Sequence, residues 1–160
     1  MIFRFKVTFP ERSEFKREYD VDAEQTLYDF HHFIQGDLDY DESQPVQFYT
    51  ANAKWKEERG FSLFGNDDSE LMDEVSIGSL VRAQHHRLLY TFDVINDRSL
   101  RLELLEMLEP TPRVRYPRTV SESGEPPAQV GKGGSLSSIF DQAMPDFDAD
   151  LYALSSGGDD

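Results

Sequence analysis

The opening of the chain alternates between apolar and polar side chains, and this pattern limits what the chain can fold into. Residues 2–9 place Phe3, Phe5, Val7 and Phe9 on one face of a strand, with Arg4, Lys6 and Thr8 on the other. Strict alternation is typical of a β-strand with one buried face. After a break at Pro10 the alternation resumes through Phe15, Arg17, Tyr19 and Val21. The sequence therefore predicts an opening β-hairpin that contributes aromatic side chains to the core.

A helix is predicted next, from about Ala23 to Gln35. Asp22 and Gln25 have the spacing of an N-cap and its reciprocal partner. Three apolar side chains and one histidine then recur at helical spacing, at Leu27, Phe30, His31 and Ile34. After a polar loop, residues 46–51 alternate again as a third strand.

The second half of the domain contains shorter patterns. Residues 53–74 are expected to form a long excursion with one short strand. Ser76 precedes a predicted short helix that carries Ile77, Leu80 and Val81. The segments 88–92 and 100–107 are strand-like and predict a second hairpin. Together these elements predict a single α+β domain.

The composition changes at Glu109, where prolines, glycines and serines become frequent. Residues 109–132 are expected to form an irregular segment that packs on the domain, which gives a domain of residues 1–132. After Lys132 there are six aspartates and no basic residue. Residues 133–160 therefore predict an acidic, mostly disordered tail.

Charge and composition exclude several classes of function. The chain has no cysteine, which excludes disulfides, thiolate metal sites and a cysteine nucleophile. Its net charge of -15 disfavours nucleic acid and anionic lipid as partners. The N-terminus lacks a leader pattern and the chain lacks an apolar run of membrane-spanning length, so the expected location is the cytoplasm.

Four short motifs in a fixed order resemble those of the Ri-plasmid open-reading-frame-three-like family, also met as passenger proteins of insertion elements. They are Leu88–Asp93, Tyr116-Pro117, Pro126-Pro127 and Gly133-Gly134. The resemblance covers roughly residues 1–134. It implies an α+β roll, with a mixed sheet rolled over two helices, and it implies no established activity.

The chain departs from the family pattern at two places. Where the family continues with an aromatic residue, Gly, Asp, Trp and His, this chain has residues 94–100, Val-Ile-Asn-Asp-Arg-Ser-Leu. A function that depends on that Trp or His is therefore absent. Ala128 and Gln129 replace the acidic pair that usually follows the Pro-Pro step.

Motifs for catalysis or metal binding are incomplete. Asp37, Asp39 and Asp41 have the spacing that starts a calcium loop, but Glu42 stands where an EF-hand needs Gly. The pairs His31-His32 and His85-His86 are adjacent, and neighbours on a helix diverge too far to chelate one ion. No nucleotide-binding loop or serine-hydrolase motif is present. The sequence thus predicts no catalytic residue, no cofactor and no metal ligand.

Two features remain as candidate contact sites. The first is a concentration of arginines with interleaved Tyr116, in which Arg113, Arg115 and Arg118 are the candidate nucleic-acid contacts. Pairing of these arginines with the acidic surface or the tail is the favoured alternative. The second is the tail, whose apolar side chains suit a partner groove. The candidate partner-binding residues there are Ile139, Phe140, Met144, Phe147, Leu151 and Tyr152. The favoured alternative for the tail is that it folds back onto the domain or simply keeps the protein soluble.

Three functional hypotheses follow. The favoured one is a non-catalytic protein-interaction or accessory module that uses the sheet face or the tail, with a protein partner that the sequence does not identify. A nucleic-acid-associated protein and a metal-dependent enzyme are the alternatives, the enzyme being the least favoured. The sequence does not predict an oligomeric state.

Overall fold

One mixed sheet of eight strands organises the domain. A computed structural model describes residues 1–64, 70–81 and 86–130. Its elements in chain order are β1 (Ile2–Thr8), β2 (Lys16–Asp22), α1 (Leu27–Leu38), β3 (Gln47–Ala51), β4 (Glu57–Ser62), β5 (Glu70–Leu71), a 3₁₀ turn (Met72–Glu74), α2 (Ile77–Leu80), β6 (Arg87–Asp93), β7 (Arg98–Leu108) and β8 (Arg118–Ser123).

The strand order is β5-β4-β3-β6-β7-β1-β2-β8. Every neighbouring pair is antiparallel except β4 with β5. The predicted hairpins, β1 with β2 and β6 with β7, are both present, and the α+β fold with a mixed sheet and two helices is confirmed.

The core lies between α1 and one face of the sheet, which we call the inner face. Phe30 of α1 stands 5.5 Å from Phe5 and 5.9 Å from Phe48, measured between ring centroids. Phe48 in turn lies 4.8 Å from Tyr90. All four rings are fully buried, and each buried side chain of this size contributes about 1.5–3 kcal/mol by leaving water. The aromatic core predicted from the opening alternation is confirmed.

The predicted start of α1 is wrong by one turn. The helix begins after Thr26, whose side chain accepts a hydrogen bond from Asp29 while Asp29 accepts one from the Thr26 backbone. Asp22 and Gln25 are hydrogen-bonded to each other at 3.0 Å, but within a turn that precedes the helix. The backbone at Thr26 forms a β-bridge with Ser76, which keeps this residue extended and delays the helix.

Two further segments are more regular than the sequence predicts. The described part of residues 53–74 contains two strands, β4 and β5, where one was expected. Within 109–130, residues 118–123 form β8 and pair with β2, so this part is not irregular. Arg17 secures the end of β8, because its Nη1 donates to the carbonyl oxygens of Ser123 and Gly124 at 3.1 and 3.2 Å.

Candidate functional site

The sheet surface opposite α1, the outer face, carries the candidate site. Alternation along β6 places Leu88 and Tyr90 on the inner face, so Arg87 and Leu89 belong to the outer face. Leu89 pairs with Arg101 of β7. Arg87 and Arg101 therefore lie on neighbouring strands, two residues apart in register, and both project from the outer face.

The β3–β4 turn brings Trp55 over these strands. The Asn52 side-chain oxygen accepts hydrogen bonds from the backbone N–H groups of Lys54 and Lys56, at 2.8 and 3.0 Å. Trp55 takes up a left-handed backbone conformation with φ 62° and donates from its own N–H to the Asn52 carbonyl at 2.9 Å. A bulky residue is uncommon in this region, and such a conformation costs on the order of 1 kcal/mol or more.

Both arginines contact the Trp55 ring. The guanidinium carbon of Arg87 lies 4.8 Å from the ring centroid and that of Arg101 lies 5.1 Å from it. Arg87 also donates a hydrogen bond to the carbonyl oxygen of Ala53 in the same turn. A guanidinium over an indole ring contributes about 0.5–1 kcal/mol at an exposed site, so the two contacts compensate for the backbone conformation of the turn.

A groove of about 300 Å³ opens beside this cluster. It is lined by Pro10, Glu11, Trp55, Glu57, Leu89, Asp97, Ser99 and Arg101. Partial burial raises the pKa of Glu57, and the negative charge of Asp97 raises it further. The groove thus combines an aromatic surface with three carboxylates and one guanidinium that is already in contact with Trp55.

Comparison with known protein families shows which family the chain belongs to. The pattern described as plasmid pRiA4b ORF-3-like protein matches residues 1–147. The chain belongs to this family.

A solved structure with a similar fold is the crystal structure of a protein of unknown function from Methanosarcina mazei Go1. It superposes with a TM-score of 0.65 and 19% sequence identity, covering 76% of this chain and 68% of that chain. At this identity the similarity establishes the fold. No functionally curated protein matches the chain.

Residues 94–97 form the turn between β6 and β7. Asp97 in that turn has φ 52° and contributes its carboxylate to the groove. Asp97 therefore lies next to Trp55 in space, although the two residues are distant in the sequence.

The predicted arginine contacts divide into two kinds. Arg118 lies 3.4 Å from Asp20, which also forms a two-pronged ion pair with Arg4 at 2.8 and 2.9 Å. Arg113 and Arg115 are exposed in the segment before β8. Arg118 therefore pairs with a buried aspartate of β2. The candidate tail residues from Ile139 to Tyr152 lie outside the described residues.

The histidines do not assemble a metal site in the part of the chain that the structure describes, where no three His, Asp or Glu side chains converge. His31 is buried and its Nδ1 is hydrogen-bonded to the Tyr90 hydroxyl at 2.7 Å. That hydroxyl also accepts from Gln35 Nε2 at 2.6 Å. His32 is exposed and lies 3.1 Å from Glu42. His85 lies outside the described residues.

The acidic loop has structural contacts. Asp37 accepts hydrogen bonds from the Tyr19 hydroxyl at 2.6 Å and from the Thr119 hydroxyl at 2.8 Å. Asp41 accepts from the backbone N–H of Ser43 at 2.9 Å, and this bond lowers the pKa of Asp41. Asp37 faces the domain, whereas Asp41 caps its own turn.

The sequence did not reveal the Trp55 groove. Its aromatic residue lies in the excursion of residues 53–74, and its arginines belong to strands that approach only in the folded sheet. The available signal was local: Asn52 three residues before Trp55 is typical of a tight turn.

None of the helices in the described part of the chain has the length and apolar character needed to cross a bilayer.

Proposed function

We propose that this domain is a non-catalytic protein-interaction module and that the groove at Trp55 is its contact surface. The observation that carries the proposal is the position of Trp55, half-exposed over a sheet face and held there by a left-handed turn. Unfavourable backbone conformations persist where the surroundings fix them, and they cluster at sites that bind ligands. Tryptophan and arginine are also the residues most enriched where protein partners bind tightly.

The charge of the groove indicates a basic partner segment. Glu11, Glu57 and Asp97 outnumber Arg101, and Arg101 is already in contact with the indole ring. Repulsion between Glu57 and Asp97 is relieved when a cationic side chain lies between them. The net charge of -15 adds long-range attraction for such a partner.

The contacts of the other polar groups support binding over catalysis. The hydroxyl of Ser99 is hydrogen-bonded to that of Thr91 at 2.8 Å. A nucleophile needs a neighbouring base that accepts its proton, and Thr91 does not supply one. Arg101, the guanidinium of the groove, is stacked on Trp55.

Trp55 supplies its own readout, because it is the sole tryptophan of the chain. The experiment titrates the protein with a short Lys- and Arg-rich peptide and with an acidic peptide of equal length, and follows tryptophan emission. We expect the basic peptide alone to change the emission. The double variant Glu57→Gln and Asp97→Asn should bind it roughly fivefold to tenfold more weakly, since each exposed ion pair contributes up to ~1 kcal/mol.

The matched control is Glu122→Gln with Glu125→Gln, which removes the same charge from exposed positions in and after β8. If both double variants weaken binding equally, attraction to the overall charge explains the result and the groove does not. An emission that the basic peptide leaves unchanged would also refute the proposal.

Binding of nucleic acid is the second candidate. The exposure of Arg113 and Arg115, on either side of Val114 and next to Tyr116, is the observation that favours it. The net charge opposes it.

A further inference from the structure

A second surface, the apolar patch, lies around the turn between β6 and β7. It consists of Pro45, Leu63, Phe64, Val94, Ile95 and Val130. Phe64 is 73% exposed, and Val94, Ile95 and Val130 are 37–40% exposed. The patch lines two adjoining depressions that share Pro45 and Val94, the larger of about 340 Å³. Single exposed apolar residues are ordinary, but a contiguous group around a depression marks a surface that something covers.

The described chain is anchored where it meets this patch. Gln129 accepts a hydrogen bond from the Asp41 backbone N–H at 2.7 Å and donates one to the Asp41 carbonyl at 2.8 Å. Two residues earlier, the carbonyl of Pro127 accepts from the Tyr40 hydroxyl at 2.5 Å. These bonds hold Val130 at the rim of the patch, so every residue that follows starts from there.

The segment that follows has the apolar side chains to cover the patch. They are Leu136, Ile139, Phe140, Met144 and Phe147. The family pattern continues through residue 147, well past the last described residue. Because an extended residue spans at most ~3.6 Å, Phe140 can reach any point within roughly 35 Å of Val130. Residues 136–147 therefore belong to what the family shares and are long enough to reach the patch.

We propose that residues 136–147 of the same chain cover the apolar patch. Attachment at Val130 gives this segment an effective concentration on the order of millimolar at the patch, which a second copy or another protein does not reach under ordinary conditions. The proposal is independent of the Trp55 groove. The proposal assigns only part of the tail to the patch, since Leu151 and Tyr152 lie beyond residues 136–147 and beyond the family match.

The chain has no cysteine, so introduced pairs can be cross-linked without background. In the full-length chain, Val94→Cys is combined separately with Ile139→Cys, Phe140→Cys and Met144→Cys, and each pair is oxidised mildly. Two control pairs are Glu122→Cys with Phe140→Cys, away from the patch, and Val94→Cys with Ser155→Cys, beyond the segment. We expect at least one patch pair to form an intrachain disulfide about tenfold faster than both controls.

Other outcomes overturn the proposal. Disulfides that form mainly between chains would assign the patch to a second copy. Equal rates in all pairs would mean that the segment does not rest on the patch.

A dye that binds exposed apolar surface gives an independent measurement. The double variant Ile139→Asp and Phe140→Asp should bind several-fold more dye than the wild type, because the uncovered patch becomes accessible. The control variant Leu151→Asp with Tyr152→Asp should match the wild type. Equal dye binding by all three proteins would contradict the proposal.

Discussion

The hydroxyl group of Tyr19 donates a 2.6 Å hydrogen bond to Asp37, which connects β2 to the last turn of α1. Asp37 also accepts from Thr119 of β8 and lies 3.4 Å from the Arg17 guanidinium. Burial raises the pKa of the Tyr19 hydroxyl, and the bond to Asp37 raises it further. One carboxylate therefore joins two strands and a helix.

We predict that Asp37→Ala lowers the free energy of unfolding by about 2–4 kcal/mol. The substitution leaves the buried Tyr19 hydroxyl without its acceptor and removes the negative charge that lies beside the buried Arg17 guanidinium, and such losses cost ~1–3 kcal/mol each. Urea denaturation measures the change. Glu24→Ala, at an exposed position of the preceding turn, is the control and should change stability by less than about 0.5 kcal/mol. Equal effects of the two substitutions would show that Asp37 has no special role.

Substitution by alanine should change the stability of the fold in opposite directions at two glycines. Gly124 has φ 75°, and a Cβ there would stand 2.2 Å from the carbonyl oxygen of Glu14. Gly36 lies inside α1, and a Cβ there would meet nothing within 4 Å. Gly124→Ala should destabilise the fold by at least ~1–3 kcal/mol, whereas Gly36→Ala should stabilise it by roughly 0.5–1 kcal/mol. Thermal unfolding of both variants checks the signs, and a stable Gly124→Ala protein would mean that β8 does not end as described.

Stability should fall as the pH is lowered through about 6.5, the unperturbed histidine pKa, because of His31. Burial lowers its pKa in the folded state, and nearby Glu42 offsets this in part. The unfolded chain therefore binds a proton that the folded chain does not. The His31 contribution is complete above the unfolded pKa and declines below it, with a slope of at most ~1.4 kcal/mol per pH unit.

Urea denaturation between pH 7.5 and 5.5 tests this expectation. His31→Gln should flatten the dependence relative to the wild type, while His32→Gln, at the exposed neighbour, should retain it. The same slope in all three proteins would assign the dependence to other groups.

Nucleic acid should bind weakly if at all. We expect no change in the fluorescence anisotropy of labelled single- or double-stranded DNA or RNA at ~50 mM salt, since the charge of -15 repels phosphates. Binding that weakens with salt would favour the alternative function. It should then be lost in Arg113→Ala with Arg115→Ala and kept in Arg12→Ala with Arg59→Ala, a pair elsewhere on the surface. Arg118 is left unchanged because its ion pair with Asp20 supports the fold.

The sequence predicted the elements whose signal is local. Alternation in β1 and β2 and the helical spacing from Leu27 to Ile34 are visible without knowledge of distant partners. Local spacing alone does not predict the start of α1, because Asp22–Gln25 and Thr26–Asp29 both have capping spacing. The choice depends on a bridge from Thr26 to Ser76, fifty residues away.

The elements that sequence reasoning missed depend on distant partners. The strand β8, Arg-Thr-Val-Ser-Glu-Ser, has no apolar alternation and becomes a strand because β2 offers it an edge. The Trp55 groove is assembled from three strands and three turns, so no short segment carries its pattern. The periodicity of a sequence gives no information on structure that depends on such distant partners.

The position of β1 in the sheet has a consequence for synthesis of the chain. β1 lies between β2 and β7, and Ile2 pairs with Leu108. During synthesis β1 thus acquires its second neighbour only after β7 has been made. Until then the newborn hairpin presents an unpaired, aromatic-rich edge, the kind of surface that chaperones protect. The sheet of this domain is therefore completed only when its last strands, β7 and β8, have been made.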